Sequence, residues 1–118
     1  MPANPVPGSD PEWRQLTSVE GRPLSGGSGR SRLRLRGEEG LLLEVIFPAG
    51  VGSPEHSHQH DSYIYLLSGH LTGTLNGEPV ELQPGQTLLH PAREQHSVVA
   101  VTDSHWLEFK SPPQIVWA

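Results

Sequence analysis

Residues 63–90 read YIYLLSGHLTGTLNGEPVELQPGQTLLH, and this stretch decides the fold class. Tyr63–Leu67 and Leu71–Leu75 are strand-length runs separated by Ser68-Gly69-His70. Asn76-Gly77 follows, the dipeptide that favours a two-residue hairpin turn because both central residues must adopt positive φ. Val80–Leu82 then runs into the Pro84-Gly85 turn, and Thr87–His90 resumes the pattern. Short apolar runs at this spacing, with turn residues between them, predict antiparallel strands of a sandwich or barrel.

The pattern continues on both sides. Upstream, Ser31–Arg36 alternates, and Leu41–Phe47 is apolar enough for a strand buried on both faces. Downstream, Ser97–Val101 and His105–Phe109 complete the set. No window carries a helical stripe, and the 12 prolines and 13 glycines suit short strands and tight turns better than long helices. The expectation is all-β. At 118 residues the chain fits one domain. Residues 1–29 are expected to be a Pro/Gly-rich arm with a possible short strand, its first dozen residues a loose tail. Residues 30–118 are expected to form a single barrel. Ser25–Ser31 reads SGGSGRS, a flexible loop without the Gly-Lys-Ser/Thr ending of a phosphate loop.

Composition removes several function classes. A net charge of −5 argues against a nucleic-acid partner. Arg30, Arg32, Arg34 and Arg36 alternate with Ser31, Leu33 and Leu35, so an extended strand would place all four on one solvated face; lining a cavity, they would form an anion-binding stripe instead. With no cysteine, thiolate catalysis, disulfides and zinc-thiolate sites are excluded. MPANPVPGSDPEW lacks the basic start and apolar run of a signal peptide. The apolar stretches Leu41–Leu43 and Val45–Phe47 are too short to span a bilayer. A cytoplasmic protein without a membrane partner is expected.

The chemistry lies in the histidines, seven in all. His56, His58 and His60 form an H-x-H-x-H run, and in an extended chain alternate residues share a face, so His56 and His58 can reach one point. Neutral imidazole binds zinc, copper, iron and nickel. A third ligand must come from elsewhere, and His96, at the head of the Ser97–Val101 strand, is placed to be an antiparallel neighbour. His60 shares the parity of His56 and His58 and is either a substitute ligand or a group facing the substrate. His70, His90 and His105 read as ordinary barrel or surface residues.

Gly50-x5-His56-x-His58-x3-Ser62-x6-Gly69 resembles the first motif of the cupins, and Gly85-x5-Pro91-x-Arg93-x2-His96 resembles the second. The resemblance implies a jelly-roll barrel, a double-stranded β-helix, holding one divalent metal ion through His56, His58 and His96. Zinc, nickel, iron and manganese all suit such a site. The departures are specific. Ser62 stands where the first motif usually has Glu or Gln, Arg93 stands where the second has glycine, and Ala100 replaces its closing Asn. Three neutral imidazoles would leave the ion its full 2+ charge, which favours anionic substrates and raises Lewis acidity.

A finer resemblance runs through His58-Gln59-His60-Asp61-Ser62 and the closing Trp106-Leu107-Glu108-Phe109-Lys110-Ser111-Pro112-Pro113. These segments are similar to small cupins associated with pectin degradation, which promote ring opening of unsaturated uronates. Their acidic residue in the last strand matches Glu108. The arginine expected after the prolines is Gln114, and the expected aromatic is Lys110, so Lys110 or Arg93 would have to hold a substrate carboxylate. The resemblance implies a metal-dependent isomerase or lyase acting on a small polar or anionic, sugar-acid-like molecule, with Glu108 or His60 moving a proton. A three-histidine iron dioxygenase and a non-catalytic sugar- or small-molecule-binding module are the alternatives. A homodimer is expected, with Trp13, Val116 and Trp117 offering apolar groups for the contact.

Overall fold

A computed structural model describes residues 11–113. Most of the segment expected to be a loose tail, residues 1–10, and Gln114, Val116 and Trp117 lie outside the described residues. Among the described residues the twelve strands are β1 (Arg14–Leu16), β2 (Ser18–Val19), β3 (Arg22–Pro23), β4 (Gly29–Arg36), β5 (Leu41–Phe47), β6 (Gly52–His56), β7 (Asp61–Ser68), β8 (Leu71–Leu75), β9 (Glu78–Leu82), β10 (Thr87–His90), β11 (His96–Ala100) and β12 (Ser104–Ser111). One sheet has the order β1-β4-β5-β12-β7-β10, a second has β6-β11-β8-β9, and β2-β3 form a separate hairpin. The two large sheets pack face to face as a jelly roll, all pairs being antiparallel. No helix among the described residues is long and apolar enough to cross a membrane.

Alternation builds the core. Leu43, Val45 and Phe47 of β5 face inward with Ile64 and Leu66 of β7 and Trp106 of β12, against Val98 and Ala100 of β11. Phe47 meets Trp106 edge-on, ring centroids 4.9 Å apart, the geometry aromatic quadrupoles favour. The inward face of β12 then changes character along the strand, from Trp106 to Glu108 to Lys110, all buried. Lys110 pairs with Ser62 on β7, and Ser62 with His90 on β10, so a row of polar side chains crosses three strands at one end of the sandwich. That end holds the site.

Three features differ from the strand pattern expected of the sequence. β6, which carries Pro54 and Glu55, is not among the runs expected to be strands, and it is an edge strand, where proline costs no ladder bond. A register shift between Leu33 and Leu35 breaks the alternation of β4. Arg30 and Arg32 keep the outer face, whereas Leu35 pairs with Leu42 and is 65% exposed. Finally, the N-terminal segment contributes three short strands: β1 adds to β4, and β2–β3 folds back toward β6, where Ser25 and Gly52 exchange backbone hydrogen bonds of 2.8 and 3.0 Å. Gly69 needs its residue type, since φ is +98° and a side chain there would collide with Asp103 and Ser104.

On the outer face, Leu89, Tyr63 and Phe109 lie side by side across β10, β7 and β12, and are 42%, 48% and 38% exposed. Trp13 lies instead against its own chain, 4.1 Å from the Arg32 guanidinium.

Candidate metal centre

Three imidazoles meet between the two sheets. His56 ends β6, His58 stands two residues later, and His96 opens β11 directly opposite His56. One ring nitrogen from each lies within 4.8 Å of the others, and all three residues are buried. The loop after β6 is pinned by the Arg93 N–H, which donates to the His58 carbonyl at 2.7 Å. Arg93 adopts φ 67° there, a left-handed conformation that costs a non-glycine residue about 1–2 kcal/mol. Its side chain is exposed and does not line the cavity. Arg93 thus contributes through its backbone, at the position where the motif has glycine, and not as a cavity cation.

The far nitrogen of each ring faces an oxygen. His56 Nδ1 donates to the Pro54 carbonyl at 2.7 Å, His58 Nδ1 to Glu20 Oε1 at 2.7 Å, and His96 Nδ1 to the Glu94 carbonyl at 3.3 Å. These oxygens only accept, so the proton of each neutral ring sits on Nδ1 and the lone pair on Nε2. His56 Nε2 and His58 Nε2 are 3.2 Å apart. With both protons on Nδ1, that contact is two lone pairs facing each other and not a hydrogen bond. Protonation does not relieve it at neutral pH. Burial lowers the His56 pKa, lowers His96 to about 3, and, with the Lys110 charge adding to it, lowers His58 to about 2. A divalent cation would relieve it, and the donor set fits one: neutral imidazoles converging through Nε2, each with its outer N–H held by an acceptor.

Beside the histidines lies a buried ion pair. Lys110 Nζ donates to Glu108 Oε2 at 2.6 Å, to His60 Nε2 at 3.2 Å and to Ser62 Oγ at 3.4 Å. Trp106 Nε1 donates to Glu108 Oε1 at 2.9 Å. Burial disfavours charge on Glu108, but the Lys110 ammonium and the indole N–H outweigh it and hold the carboxyl below the usual carboxylate range. His60 is fully buried and stacks on His58 with ring centroids 4.4 Å apart. Ser62, also fully buried, offers only a hydroxyl where the motif has a carboxylate. His60 and Ser62 lie outside the group of three converging nitrogens.

Two residues escaped the sequence reading. His90 stacks on His96 at 3.9 Å and lines the cavity, with burial lowering its pKa to about 4. Its signal was parity, since it shares the inward face of β10 with Leu88, which packs against the core. Glu20, the acceptor for His58, had no comparable signal. The cavity shared by His56, His58, His90, His96, Glu108 and Lys110 has a volume of about 50 Å³, more than the roughly 10–15 Å³ that a single water needs. Leu16, Ser31 and Leu43 line it and also line an open surface groove of about 780 Å³, on whose wall Glu20 stands.

This fold and this histidine set define a cupin. The family profile described as "Cupin domain" matches residues 43–109, more than half of the chain, and the chain belongs to that family. No curated protein matches the sequence. Among solved structures, KdgF from a Halomonas species is similar at 25% identity and TM-score 0.73, with 76% of this chain and 84% of that one covered. An RmlC-like cupin from Shewanella frigidimarina matches at 19% identity and TM-score 0.73, covering 88% and 98%. A predicted oxalate decarboxylase from Thermotoga maritima matches at 20% identity and TM-score 0.72, covering 84% and 90%. The last two likenesses are of fold.

Proposed function

We propose that this chain is a metal-dependent isomerase or lyase acting on a small, anionic, sugar-acid-like molecule. The observation that carries this reading is one cavity holding three convergent imidazole lone pairs together with the buried Glu108–Lys110 pair. His56, His58 and His96 would hold one divalent ion, zinc, nickel, iron or manganese, which supplies Lewis acidity toward a substrate oxygen.

The chain's own residues divide the remaining work. Lys110 is the cavity cation and would bind a substrate carboxylate, a role the exposed side chain of Arg93 does not share. Glu108 is ionised at neutral pH and is the proton acceptor. When a substrate anion competes for the Lys110 ammonium, Glu108 loses part of what stabilises its charge and becomes a stronger base. The same ammonium donates to His60 Nε2, so Lys110 would pass a proton to His60 as it takes one from Glu108, and His60 would return it to the substrate. The resemblance of the sequence to uronate-ketonizing cupins, and the likeness to KdgF, support a sugar-acid substrate. The test is ring opening of an unsaturated uronate, followed by loss of its ultraviolet absorbance, with wild type and His58→Ala after loading with each ion. Wild-type turnover lost together with metal in His58→Ala supports the reading; turnover that survives metal loss contradicts it.

We also propose that two copies pair, through the apolar row of Leu89, Tyr63 and Phe109. A contiguous exposed apolar face is uncommon on a monomer. Light scattering should give a dimer for wild type and a monomer for Tyr63→Asp; a monomeric wild type would contradict it.

A further inference from the structure

The β2–β3 hairpin turns through Glu20 and Gly21, with φ of 49° and 75°. A two-residue loop with positive φ at both positions favours asparagine, aspartate or glycine, and glutamate is out of place at the first. The strained residue is the one that reaches the site. Its carboxylate accepts from His58 Nδ1 at 2.7 Å, while its side chain remains 36% exposed on the groove wall.

The hairpin is held over the cavity at two points. Val19, one residue earlier, is 7% exposed and lines the cavity. Leu24 N–H donates to the Thr17 carbonyl at 2.9 Å, and the Ser25–Gly52 pair ties the following segment to β6, four residues before His56. Glu20 is thus the one acceptor among the three that comes from a side chain rather than a backbone carbonyl, and it comes from another part of the chain.

We infer that Glu20 is a positioning residue: it fixes the tautomer and orientation of His58, and through it the hairpin sets how tightly the cavity holds a metal. This rests on the three-histidine reading and extends it. A carboxylate behind a ligating imidazole raises the ligand's basicity, and removing such a partner commonly weakens metal binding by about 10–100-fold. The carboxylate that the first motif lacks at Ser62 is supplied one shell farther out, from residues that lie outside the matched family segment.

Cobalt(II) tests this, because its visible spectrum reports ligand geometry and its affinity can be measured against a chromophoric chelator without turnover. The full chain, Glu20→Gln, Glu20→Ala and Glu20→Asp are compared, each with the thermal transition of the metal-free protein. The expected result is roughly 10–100-fold weaker cobalt binding in Glu20→Ala, a smaller loss in Glu20→Gln, partial recovery in Glu20→Asp, and a shifted spectrum, with the metal-free transitions unchanged. Wild-type affinity and spectrum in both Glu20→Gln and Glu20→Ala would overturn the role of Glu20 while leaving the histidine site standing. Weakened binding only in Glu20→Ala, alongside a lowered metal-free transition, would show mere packing and overturn it too. Failure of the wild type itself to bind cobalt would remove both the histidine reading and this one.

Discussion

β5 and β12 carry two glutamates that sit one step apart along the same ladder and look in opposite directions. Glu44 pairs with Leu107 and Glu108 with Leu43, so Glu44 faces outward and Glu108 inward. On the outer face Glu44 accepts from Arg32 Nε at 2.9 Å and His105 Nε2 at 2.5 Å, with Arg34 Nε at 3.7 Å. On the inner face Glu108 hydrogen-bonds the Lys110 ammonium and the Trp106 indole. Burial opposes both charges, and in both the neighbouring cations win, so each carboxyl is held below its ordinary pKa. The difference lies in redundancy and solvent. Arg34 and His105 are about a third exposed, at 32% each, and the outer cluster sets two guanidinium groups, Arg32 and Arg34, around one carboxylate. The inner carboxylate depends on one ammonium, whose side chain is only 3% exposed. The outer cluster is support for the sheet; the inner pair is poised for a ligand to compete with it.

The largest effect expected of this contrast is at Lys110. Lys110→Met leaves Glu108 buried without its cation, and breaking such a pair costs roughly 3–5 kcal/mol, measurable by urea denaturation at pH 7. A double variant, Lys110→Met with Glu108→Leu, should recover most of that loss. The pH dependence should also change sign. In the wild type the depressed Glu108 carboxyl contributes stability that is present above its ordinary value of 4.5 and is lost as pH falls through its folded-state value. Without Lys110, burial raises that carboxyl instead, and stability falls as pH rises through the raised value. Denaturation of both proteins across pH 3–8 checks the reversal; parallel profiles would break the comparison.

The smaller effect is at Glu44. Glu44→Gln should cost about 1 kcal/mol or less, shrinking further with added salt, because partly exposed ion pairs are screened. Metal content should not change. A loss at Glu44 as large as that at Lys110 would mean that the two faces are not distinct in kind.

Much of this was legible in the sequence. Asn76-Gly77 marks the β8–β9 turn, and both residues take positive φ, 50° and 80°. The H-x-H spacing and the position of His96 at the head of a strand foretold that these rings could meet, because strand parity and antiparallel pairing are properties of the chain's own geometry. What was hidden depended on contacts between segments remote in sequence. Glu20 lies 38 positions from His58 and sits in a hairpin whose strands are two residues long, too short for any periodic signal. The four-arginine face failed at Leu33–Leu35, where a register shift that no alternation reveals turns Leu35 outward. His90 shares its parity with Leu88, but on a four-residue strand that alternation does not say which face is inward until the neighbouring sheet is in place.

The most direct measurement is the metal content of untagged protein, beside a His56→Ala/His58→Ala variant, after incubation with zinc, nickel, iron or manganese and removal of excess ion. The three-histidine centre predicts near one equivalent of metal in the wild type and none in the variant. No retained metal in the wild type with any of these ions, or equal retention in both proteins, would contradict it.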